Sequence, residues 1–483
     1  MRMPEPNSAI LARRAAIVED LRRLCPAAES VIDAEDEVRA YETDGLSAYR
    51  QVPLAVVLPR TTEEVAAVMR YCHEQRIPMT ARGAGTSLAG GAMPTADGVI
   101  LGLMKMRDIL DVDIANRSAT VQAGVTNIAI TQAVEHERFF YAPDPSSQLA
   151  CSIGGNVANN SGGAHCLKYG VTTNNLLGVK LVTVEGEIVE IGGRHLDAAG
   201  LDLLGLLCGS EGQLGVVTEV TVRILPAPEG ARPMLLGFES SRAAGACVDA
   251  IIASGIIPVA LEFMDKPAIE AVEAFVHAGY PLDVEAVLIA EVEGNDAEID
   301  HLLERITEIA REHGASFLRV AANAKDAAAI WLGRKSAFGA VGRISPDYIC
   351  IDGTIPTSAL PETLERIGEI GRHYGFMIAN IFHAGDGNLH PLILYNANAP
   401  GELEKAERCS ADILKLCVDV GGCLSGEHGV GIEKRDLMAY QYEPYELDLQ
   451  RRIKAAFDPH DILNVGKVFP LDDQPTTPLG RAA

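Results

Sequence analysis

The chain has 483 residues and a formal net charge of −25, and both numbers exclude some classes of protein. Its length is too great for one ordinary hydrophobic core, so we expect two or more substructures. The acidic balance, without a prominent Lys/Arg cluster, argues against sequence-independent binding to nucleic acid. The ten cysteines are scattered and form no C-x-x-C pair, which argues against an iron–sulfur or zinc-ribbon cluster and favours reduced thiols.

No signal peptide and no run of about 20 apolar residues is apparent. We therefore expect a soluble, cytoplasmic protein that associates at most peripherally with the inner face of the cytoplasmic membrane.

The first half of the chain predicts an α+β domain. Residues 8–24 have apolar positions at helical spacing, which predicts a helix within an N-terminal helical segment, 1–49. From Pro53 the runs AVVLP, TTEEVAAVMRYCHEQ and IPMTARG predict a β-α-β unit with Thr61 or Thr62 as the N-cap. Five further strands are predicted, at 98–104, 118–124, 179–184, 187–191 and 216–225. The domain is expected to span 50–227 and to end at the turn LPAPEG.

The second half predicts another α+β domain over 228–470. Amphipathic helices such as AEIDHLLERITEIAREHG alternate there with apolar runs such as EAVLIAEV, YICIDGTI and FMIANIF. This alternation indicates helices packed on an antiparallel sheet. The tail, 471–483, offers little to bury and is expected to lack regular structure.

Three glycine-rich runs lie within the first predicted domain, at 82–91, 143–163 and 209–218. Glycine lets main-chain N–H groups approach an anion without Cβ interference, as a pyrophosphate requires. The alternative for each run is a loop that only turns. Gly83 and Gly85 are followed by Leu88 where G-x-G-x-x-G needs a third glycine, and the run lacks the lysine of a Walker loop. The predicted nucleotide fold is therefore neither of those two.

A pair of histidines marks the second predicted domain. His383 and His390 flank the turn AGDGN between two apolar runs, so a hairpin is predicted. Cross-strand neighbours lie about 5 Å apart, close enough for both imidazoles to bind one ion, with Glu427 as a third ligand. The alternative is two unrelated polar histidines. Zinc is the first choice of metal, and manganese or iron(II) also suit mixed ligands of this kind.

The motifs, taken together, resemble one family over nearly the whole chain. ARGAGTSLAGGA, GSEGQLGVVTEVTV, GRKSAFGAVGRISPDY, FHAGDGNLHPLILYN, SGEHGVGIEK and DPHDILNVGK occur in this order. The chain resembles the FAD-linked subunits of bacterial glycolate oxidases, which are relatives of D-lactate and D-2-hydroxyglutarate dehydrogenases. The resemblance implies an FAD-binding domain of the vanillyl-alcohol oxidase (PCMH) type, followed by an α+β substrate domain with an antiparallel sheet. One departure is Val465, where the family motif has proline.

The resemblance also implies that FAD is bound non-covalently, by the three runs and the C-terminal motif. The implied FAD-binding residues are Arg82, Gly83, Ala84, Gly85, Thr86, Ser87, Gly90, Pro143, Asp144, Ser147, Gly154, Gly155, Asn156, Asn159, Gly163, Gly209, Glu211, Gly212, Gly215, Val216, Asn464 and Lys467.

The same resemblance implies oxidation of a small 2-hydroxy acid, glycolate to glyoxylate and also D-lactate to pyruvate. By this resemblance, His383, His390 and Glu427 would bind a metal ion at the substrate hydroxyl, His428 would accept the proton of that hydroxyl, and the C2 hydride would go to flavin N5. Arg334 matches the arginine that binds the substrate carboxylate in relatives, for which a guanidinium is suited by its bidentate geometry. Cys350 stands where dicarboxylate-specific relatives have a lysine, which argues against a dicarboxylate.

Partners and rival functions remain open from the sequence. Electrons are expected to leave through a second flavin subunit and an iron–sulfur subunit toward quinone. One alternative is a D-lactate or other D-2-hydroxy-acid dehydrogenase that acts alone. Others are a metal-free flavin oxidoreductase and a non-catalytic flavin subunit. An FMN enzyme on a TIM barrel is disfavoured, because eight β/α repeats are not apparent.

Overall fold

The chain divides into two compact units. The first unit comprises 1–162, 171–227 and 427–483, and the second comprises 163–170 and 228–426. The computed structural model describes residues 1–195, 200–471 and 476–481. The predicted domains, 1–49, 50–227 and 228–470, are continuous along the sequence, whereas the compact units group 1–49 and 427–470 with the first unit.

The first unit is built on two main sheets. Its strands within the described residues are Arg2–Pro4, Val31–Ile32, Tyr49–Arg50, Ala55–Val57, Met79–Arg82, Val99–Gly102, Ile109–Asp113, Ser118–Gln122, Phe139–Phe140, Leu176–Val182, Ile188–Gly192, Val216–Arg223, Leu225–Pro226, Thr476–Pro478 and Gly480–Arg481. Its α-helices are Ser8–Leu11, Arg14–Leu24, Glu35–Val38, Thr62–Gln75, Asn127–Val134, Ile153–Asn159, Thr172–Asn175, Leu203–Leu207, Met438–Gln441 and Pro444–Phe457.

The predicted β-α-β unit is confirmed and forms part of the smaller of these two sheets. Ala55–Val57 and Met79–Arg82 both pair in parallel with Val99–Gly102, and Thr62–Gln75 connects them. Thr61 is the N-cap, since its hydroxyl accepts a hydrogen bond from Glu64 N at 3.2 Å. The larger sheet is antiparallel, with the strand order 188–192, 176–182, 216–223, 118–122, 109–113.

The last segment of the chain completes the smaller sheet. Leu463 forms a parallel bridge with Met79 at the edge of this sheet. Ile462 and Leu463 are buried in the same apolar cluster as Ala55 and Val57. Burial of these apolar side chains explains why 427–470 belongs to the first unit, which its sequence position did not indicate.

The tail contains regular structure, in contrast to the prediction. Thr476–Pro478 pairs antiparallel with Arg2–Pro4, and Gly480–Arg481 pairs antiparallel with Tyr49–Arg50. The prediction was wrong for these residues because backbone pairing needs no apolar side chains. The rest of the predicted tail, apart from Leu471 and Leu479, lies outside the described residues.

The second unit is a nine-stranded sheet covered by helices. Its strands within the described residues are Gly230–Phe238, Ala260–Asp265, Ala286–Gly294, Ala315–Val320, Asp347–Cys350, Gly353–Thr354, Ile378–His383, Asn388–Leu389 and Pro391–Tyr395. Its α-helices are Cys166–Tyr169, Ser241–Ala253, Lys266–Val276, Asp296–Glu312, Ala324–Val341, Leu360–Tyr374 and Glu402–Asp419. Every strand pair in it is antiparallel, as predicted.

Among the helices of the described residues, none combines the length and the apolar character needed to cross a membrane.

Candidate active site

The predicted histidine hairpin is present in the second unit. Ile378–His383 pairs antiparallel with Asn388–Leu389 and with Pro391–Tyr395, and His390 lies between the two returning strands. The ring centroids of His383 and His390 are 5.3 Å apart, and the rings are nearly perpendicular. Both side chains are buried, with 5% and 2% exposure. The hairpin therefore brings the two imidazoles together, as the sequence predicted.

Each imidazole is oriented through its Nδ1 atom. His383 Nδ1 lies 2.8 Å from Glu262 Oε1, and His390 Nδ1 lies 3.1 Å from the carbonyl oxygen of Ile351. Because both partners are acceptors, each Nδ1 acts as the donor, and Nε2 is the nitrogen of each ring that is suited to bind a metal ion. Imidazole nitrogens oriented in this way are common ligands of divalent metal ions.

The carboxylate of Glu262 also binds Arg334, which the sequence predicted as the ligand of the substrate carboxylate. Arg334 Nε lies 2.8 Å and Nη2 lies 2.7 Å from Glu262 Oε2. Burial alone would raise the pKa of Glu262, but His383 and Arg334 beside it hold this pKa below its ordinary value. Two of the three guanidinium nitrogens of Arg334 are thus bound within the fold.

The turn after His383 and the chain before Glu427 are tightly fixed within the second unit. Asp352 is fully buried, and its carboxylate accepts hydrogen bonds from Ser425 Oγ at 2.7 Å and from Gly426 N at 3.1 Å. A Cβ on Gly426 would lie 2.4 Å from Asn388 Oδ1, so a larger residue there would displace the Asn388 amide. Among the described residues, no hydrogen-bond partner reaches the buried Asn388 Oδ1.

Glu427 and His428 begin the last segment of the first unit. The Glu427 carboxylate accepts a hydrogen bond from Gly162 N at 3.0 Å. The main-chain oxygen of His428 accepts one from Asn159 Nδ2 at 2.8 Å and one from Ser87 Oγ at 3.4 Å. The main chain at the predicted base is therefore held by two of the glycine-rich runs.

The third glycine-rich run holds the same segment through Glu211. Its two carboxylate oxygens accept hydrogen bonds from Val430 N at 2.6 Å and from Gly431 N at 2.7 Å. Burial raises the pKa of Glu211, and these two N–H groups oppose that shift. One side chain from each glycine-rich run thus binds the stretch 428–431, a feature that sequence reasoning missed because it treated these residues only as cofactor contacts.

The first run, 82–91, turns closely against the second. Arg82 is buried, and its Nη1 donates to the carbonyl oxygen of Thr43 at 2.7 Å. Gly85 has φ +72°, and a Cβ on Gly83 would lie 2.2 Å from Ser152 Oγ. The main chain can therefore approach a ligand there as only glycine allows. Ala84, Thr86 and Gly90 lie in the same loop.

The residues of the second run lie in a loop, in a helix and, for one of them, in the second unit. Asn127 Nδ2 donates to Pro143 O at 2.9 Å and to Asn156 Oδ1 at 3.0 Å. Gly154, Gly155, Asn156 and Asn159 lie in the helix Ile153–Asn159, while Asp144 and Ser147 precede it. Gly163 differs from the rest, because it belongs to the second unit.

The third run and the C-terminal motif meet within the first unit. Gly209, Gly212 and Gly215 all have positive φ, and Val216 begins a strand. Asn464 Oδ1 accepts a hydrogen bond from Ala81 N, and its Nδ2 donates to Glu211 O. Lys467 is buried and donates to Thr80 Oγ1 at 3.2 Å. Burial lowers the pKa of Lys467 to about 7, so a ligand anion there would favour its charged form.

The comparisons with known proteins assign the chain to a class. Residues 53–192 match the family "FAD binding domain", and 227–468 match "FAD linked oxidases, C-terminal domain". Solved structures share the fold at 18% identity. They include p-cresol methylhydroxylase, with a TM-score of 0.79 over 97% of this chain and 98% of that one. Another is a 4-ethylphenol oxidase from Gulosibacter chungangensis, with a TM-score of 0.80 over 97% and 98%. These structures confirm the predicted fold class. The two family matches identify the chain as an FAD-dependent oxidoreductase.

Curated relatives define the family more narrowly. The chain is 51% identical to glycolate oxidase subunit GlcD of Escherichia coli strain K12, over 95% of this chain and 91% of that protein. It is 39% identical to GlcD of Bacillus subtilis, over 89% and 92%. It is 34% identical to a D-lactate dehydrogenase of Archaeoglobus fulgidus, over 91% and 96%. The chain belongs to the FAD-linked oxidase family that contains these glycolate oxidase subunits, and the predicted resemblance is confirmed.

Proposed function

We propose that the chain oxidises small 2-hydroxy acids, with glycolate as the preferred substrate and D-lactate as a second one. The names of the glycolate oxidase and D-lactate dehydrogenase relatives support this substrate class. The observation that carries the proposal is the pair of buried imidazoles, His383 and His390. Their Nδ1 atoms both contact acceptors, which supports Nε2 as the metal-binding atom of each ring.

In this proposal His383 and His390 supply two nitrogen ligands to a divalent metal, zinc first, and Glu427 supplies a carboxylate oxygen. The metal, when bound, contributes Lewis acidity that lowers the pKa of a hydroxyl group. His428 accepts the proton of the C2 hydroxyl, and Arg334 pairs with the substrate carboxylate. FAD, when bound, supplies the acceptor for two electrons. It is held without a covalent link by the three glycine-rich runs, Asn464 and Lys467.

The surroundings of His390 favour a small monocarboxylate. Cys350 is buried, and it and His390 offer ligand atoms within 4.8 Å of one another. A cysteine at this position offers no positive charge to a second carboxylate, whereas a lysine would. We therefore place glycolate and D-lactate ahead of D-2-hydroxyglutarate.

The test is anaerobic mixing of the FAD-loaded protein with glycolate, D-lactate, L-lactate or D-2-hydroxyglutarate, while the visible flavin absorbance is followed. We expect glycolate and D-lactate to bleach the flavin, a chelator to prevent bleaching, and Zn²⁺ or Mn²⁺ to restore it. His383→Ala and His390→Ala should behave like chelated protein, whereas the matched control His301→Ala, on an exposed helix position, should not. Bleaching that survives complete metal removal would favour a metal-free flavin oxidoreductase, and no bleaching at all would favour a non-catalytic subunit.

The same preparation addresses the electron acceptor. We propose that a second flavin subunit and an iron–sulfur subunit carry electrons onward, because the name of the E. coli relative describes it as a subunit. Reduced protein alone should then transfer electrons to quinone slowly. Full-rate quinone reduction by the isolated chain would instead identify a dehydrogenase that acts alone.

A further inference from the structure

The buried carboxylate of Glu262 connects two elements of the proposed active site. It lies on the strand Ala260–Asp265, directly opposite His383 on the neighbouring strand. Arg334 reaches it from the helix Ala324–Val341. All three side chains are buried, Glu262 with 1% exposure. No motif of the sequence identified Glu262.

We propose that Glu262 is a positioning residue that sets both the metal ligand His383 and the substrate ligand Arg334. This inference rests on the proposed function, because it assigns a role toward the metal and the 2-hydroxy acid. Through Oε1 it fixes the proton of His383 on Nδ1, and through Oε2 it fixes the plane of the guanidinium. One carboxylate thus orients both a proposed metal ligand and a proposed substrate ligand.

Glu262 affects metal binding through its hydrogen bond with His383. A carboxylate that accepts the Nδ1 proton holds the tautomer and ring orientation, and it makes Nε2 a stronger ligand. Loss of such a partner typically weakens metal binding by about 10–100-fold. The Nδ1 atom of His390 faces a neutral carbonyl oxygen, whereas the Nδ1 atom of His383 faces a carboxylate, so of these two contacts the one from Glu262 supplies a negative charge.

Glu262 affects substrate binding through its contacts with Arg334. Its Nε and Nη2 are both bound to Glu262 Oε2, and among the described residues no hydrogen-bond partner of its Nη1 is found. The guanidinium is rigid and planar, so the bonds of Nε and Nη2 determine where Nη1 points. Arg334 therefore presents one nitrogen, rather than a two-nitrogen fork, to a substrate carboxylate. Without Glu262 the guanidinium would lose this orientation, and KM would rise.

The chain offers a matched control in Glu291. This second buried carboxylate lies on the adjacent strand Ala286–Gly294 and accepts a hydrogen bond from Trp331, on the same helix as Arg334. Its carboxylate accepts a hydrogen bond from Trp331 Nε1 at 3.0 Å and contacts His165. These contacts join the helix to the sheet, and neither of them involves His383 or Arg334. Glu291→Gln should therefore change neither metal affinity nor KM.

The experiment uses the full-length, FAD-loaded chain and four variants: Glu262→Gln, Arg334→Gln, the double variant and Glu291→Gln. The Kd for Zn²⁺ is measured by competition with a chromophoric chelator, and KM and kcat are measured with glycolate. We expect Glu262→Gln to raise both the Zn²⁺ Kd, by roughly 10–100-fold, and KM. Arg334→Gln should raise KM alone. The double variant should have the Kd of Glu262→Gln and the KM of Arg334→Gln.

The double variant also allows the test if Glu262→Gln alone fails to fold. Glu262→Gln leaves a buried guanidinium without its counter-charge, which destabilises a protein, and the double variant removes that charge. A Zn²⁺ Kd within twofold of wild type in the double variant would overturn the inference. A KM effect of Glu262→Gln that adds in full to that of Arg334→Gln would also overturn it. Wild-type protein that binds no Zn²⁺ would instead refute the proposed metal site itself, and the inference with it.

Discussion

At the scale of single residues, the second unit contains a buried acid whose charge opposes folding. Asp265 ends the strand Ala260–Asp265, and its carboxylate accepts hydrogen bonds from both nitrogens of Asn380 and from Ala268 N. Burial raises the pKa of Asp265 to about 7, although these hydrogen bonds oppose the shift. In the unfolded chain the pKa is near its ordinary value of 3.8.

The sign of the pH dependence follows from this difference. Between pH 4 and pH 7 the folded state holds a proton on Asp265 that the unfolded chain has released. The stability that this group contributes is therefore complete below pH 4 and is lost as the pH rises through about 7. Asp265→Asn removes the titration. From pH 5 to pH 8 the variant should gain about 2–3 kcal/mol relative to wild type.

Calorimetry of the two proteins at pH 5 and pH 8 measures this gain as a change in the difference of their Tm values, roughly 5–10 °C for a unit of this size. The exposed Asp283→Asn serves as the control, and its Tm difference from wild type should not change with pH. A constant difference for Asp265→Asn would mean that Asp265 is ionised in the folded protein across this range.

At the scale of elements, the segment that carries the predicted base is held by a carboxylate. Glu211 accepts hydrogen bonds from Val430 N and Gly431 N, so Glu211→Gln replaces one acceptor by an NH₂ group that faces an N–H group. We expect the variant to retain FAD while kcat for glycolate falls roughly tenfold, a loss of about 1.4 kcal/mol. His428→Ala, as the reference, should retain FAD and lose flavin reduction entirely.

The matched control is Glu219→Gln, which changes a carboxylate on the strand Val216–Arg223 that pairs with Lys180 at 2.8 Å. Its kcat should stay near wild type. The sequence placed Glu211 among the cofactor ligands, and the two roles predict different results. If Glu211→Gln loses FAD while the remaining loaded protein turns over normally, the residue acts on the cofactor rather than on the segment 428–431.

Local pattern predicted the elements well, and long-range pairing explains what it missed. The hairpin of His383 and His390 could be predicted because its strands and turn are contiguous. Glu262 could not, since it is 121 residues from His383 and only the register of two strands brings them together. The same holds for Glu211 and Val430, which are 219 residues apart. A sequence pattern does not contain register between distant strands or loops.

At the scale of the whole molecule, the first unit is discontinuous along the chain. Residues 427–483 return to it after the second unit is complete. Met79 N donates to Ile462 O at 2.6 Å, and Asn464 N donates to Met79 O at 2.8 Å, so this segment covers one edge of the four-stranded sheet. Lys467 and Asn464 come from the same segment and are buried in the unit.

This connectivity predicts that a fragment ending at residue 227 will not bind FAD, although it contains the whole match to the FAD binding domain. Without 462–464 the edge strand Met79–Arg82 would expose unpaired backbone groups and the apolar cluster would lose Ile462 and Leu463, both of which favour aggregation. Co-expression of 427–483 should restore a soluble, yellow complex. The visible-to-ultraviolet absorbance ratio after gel filtration measures the FAD retained.

A variant that ends at residue 475 separates the effect of losing the segment 427–483 from the effect of losing the terminal strands. Among the described residues it loses the pairing of Thr476–Pro478 with Arg2–Pro4 and of Gly480–Arg481 with Tyr49–Arg50, together with the buried Leu479. It keeps the covered sheet edge. We expect it to retain FAD with a lower Tm. If the fragment 1–227 bound FAD as tightly as the full chain, the return of the last segment would be dispensable for the cofactor. Its function would then lie in the position of Glu427 and His428, because the residues that begin the segment are the proposed ligand and base.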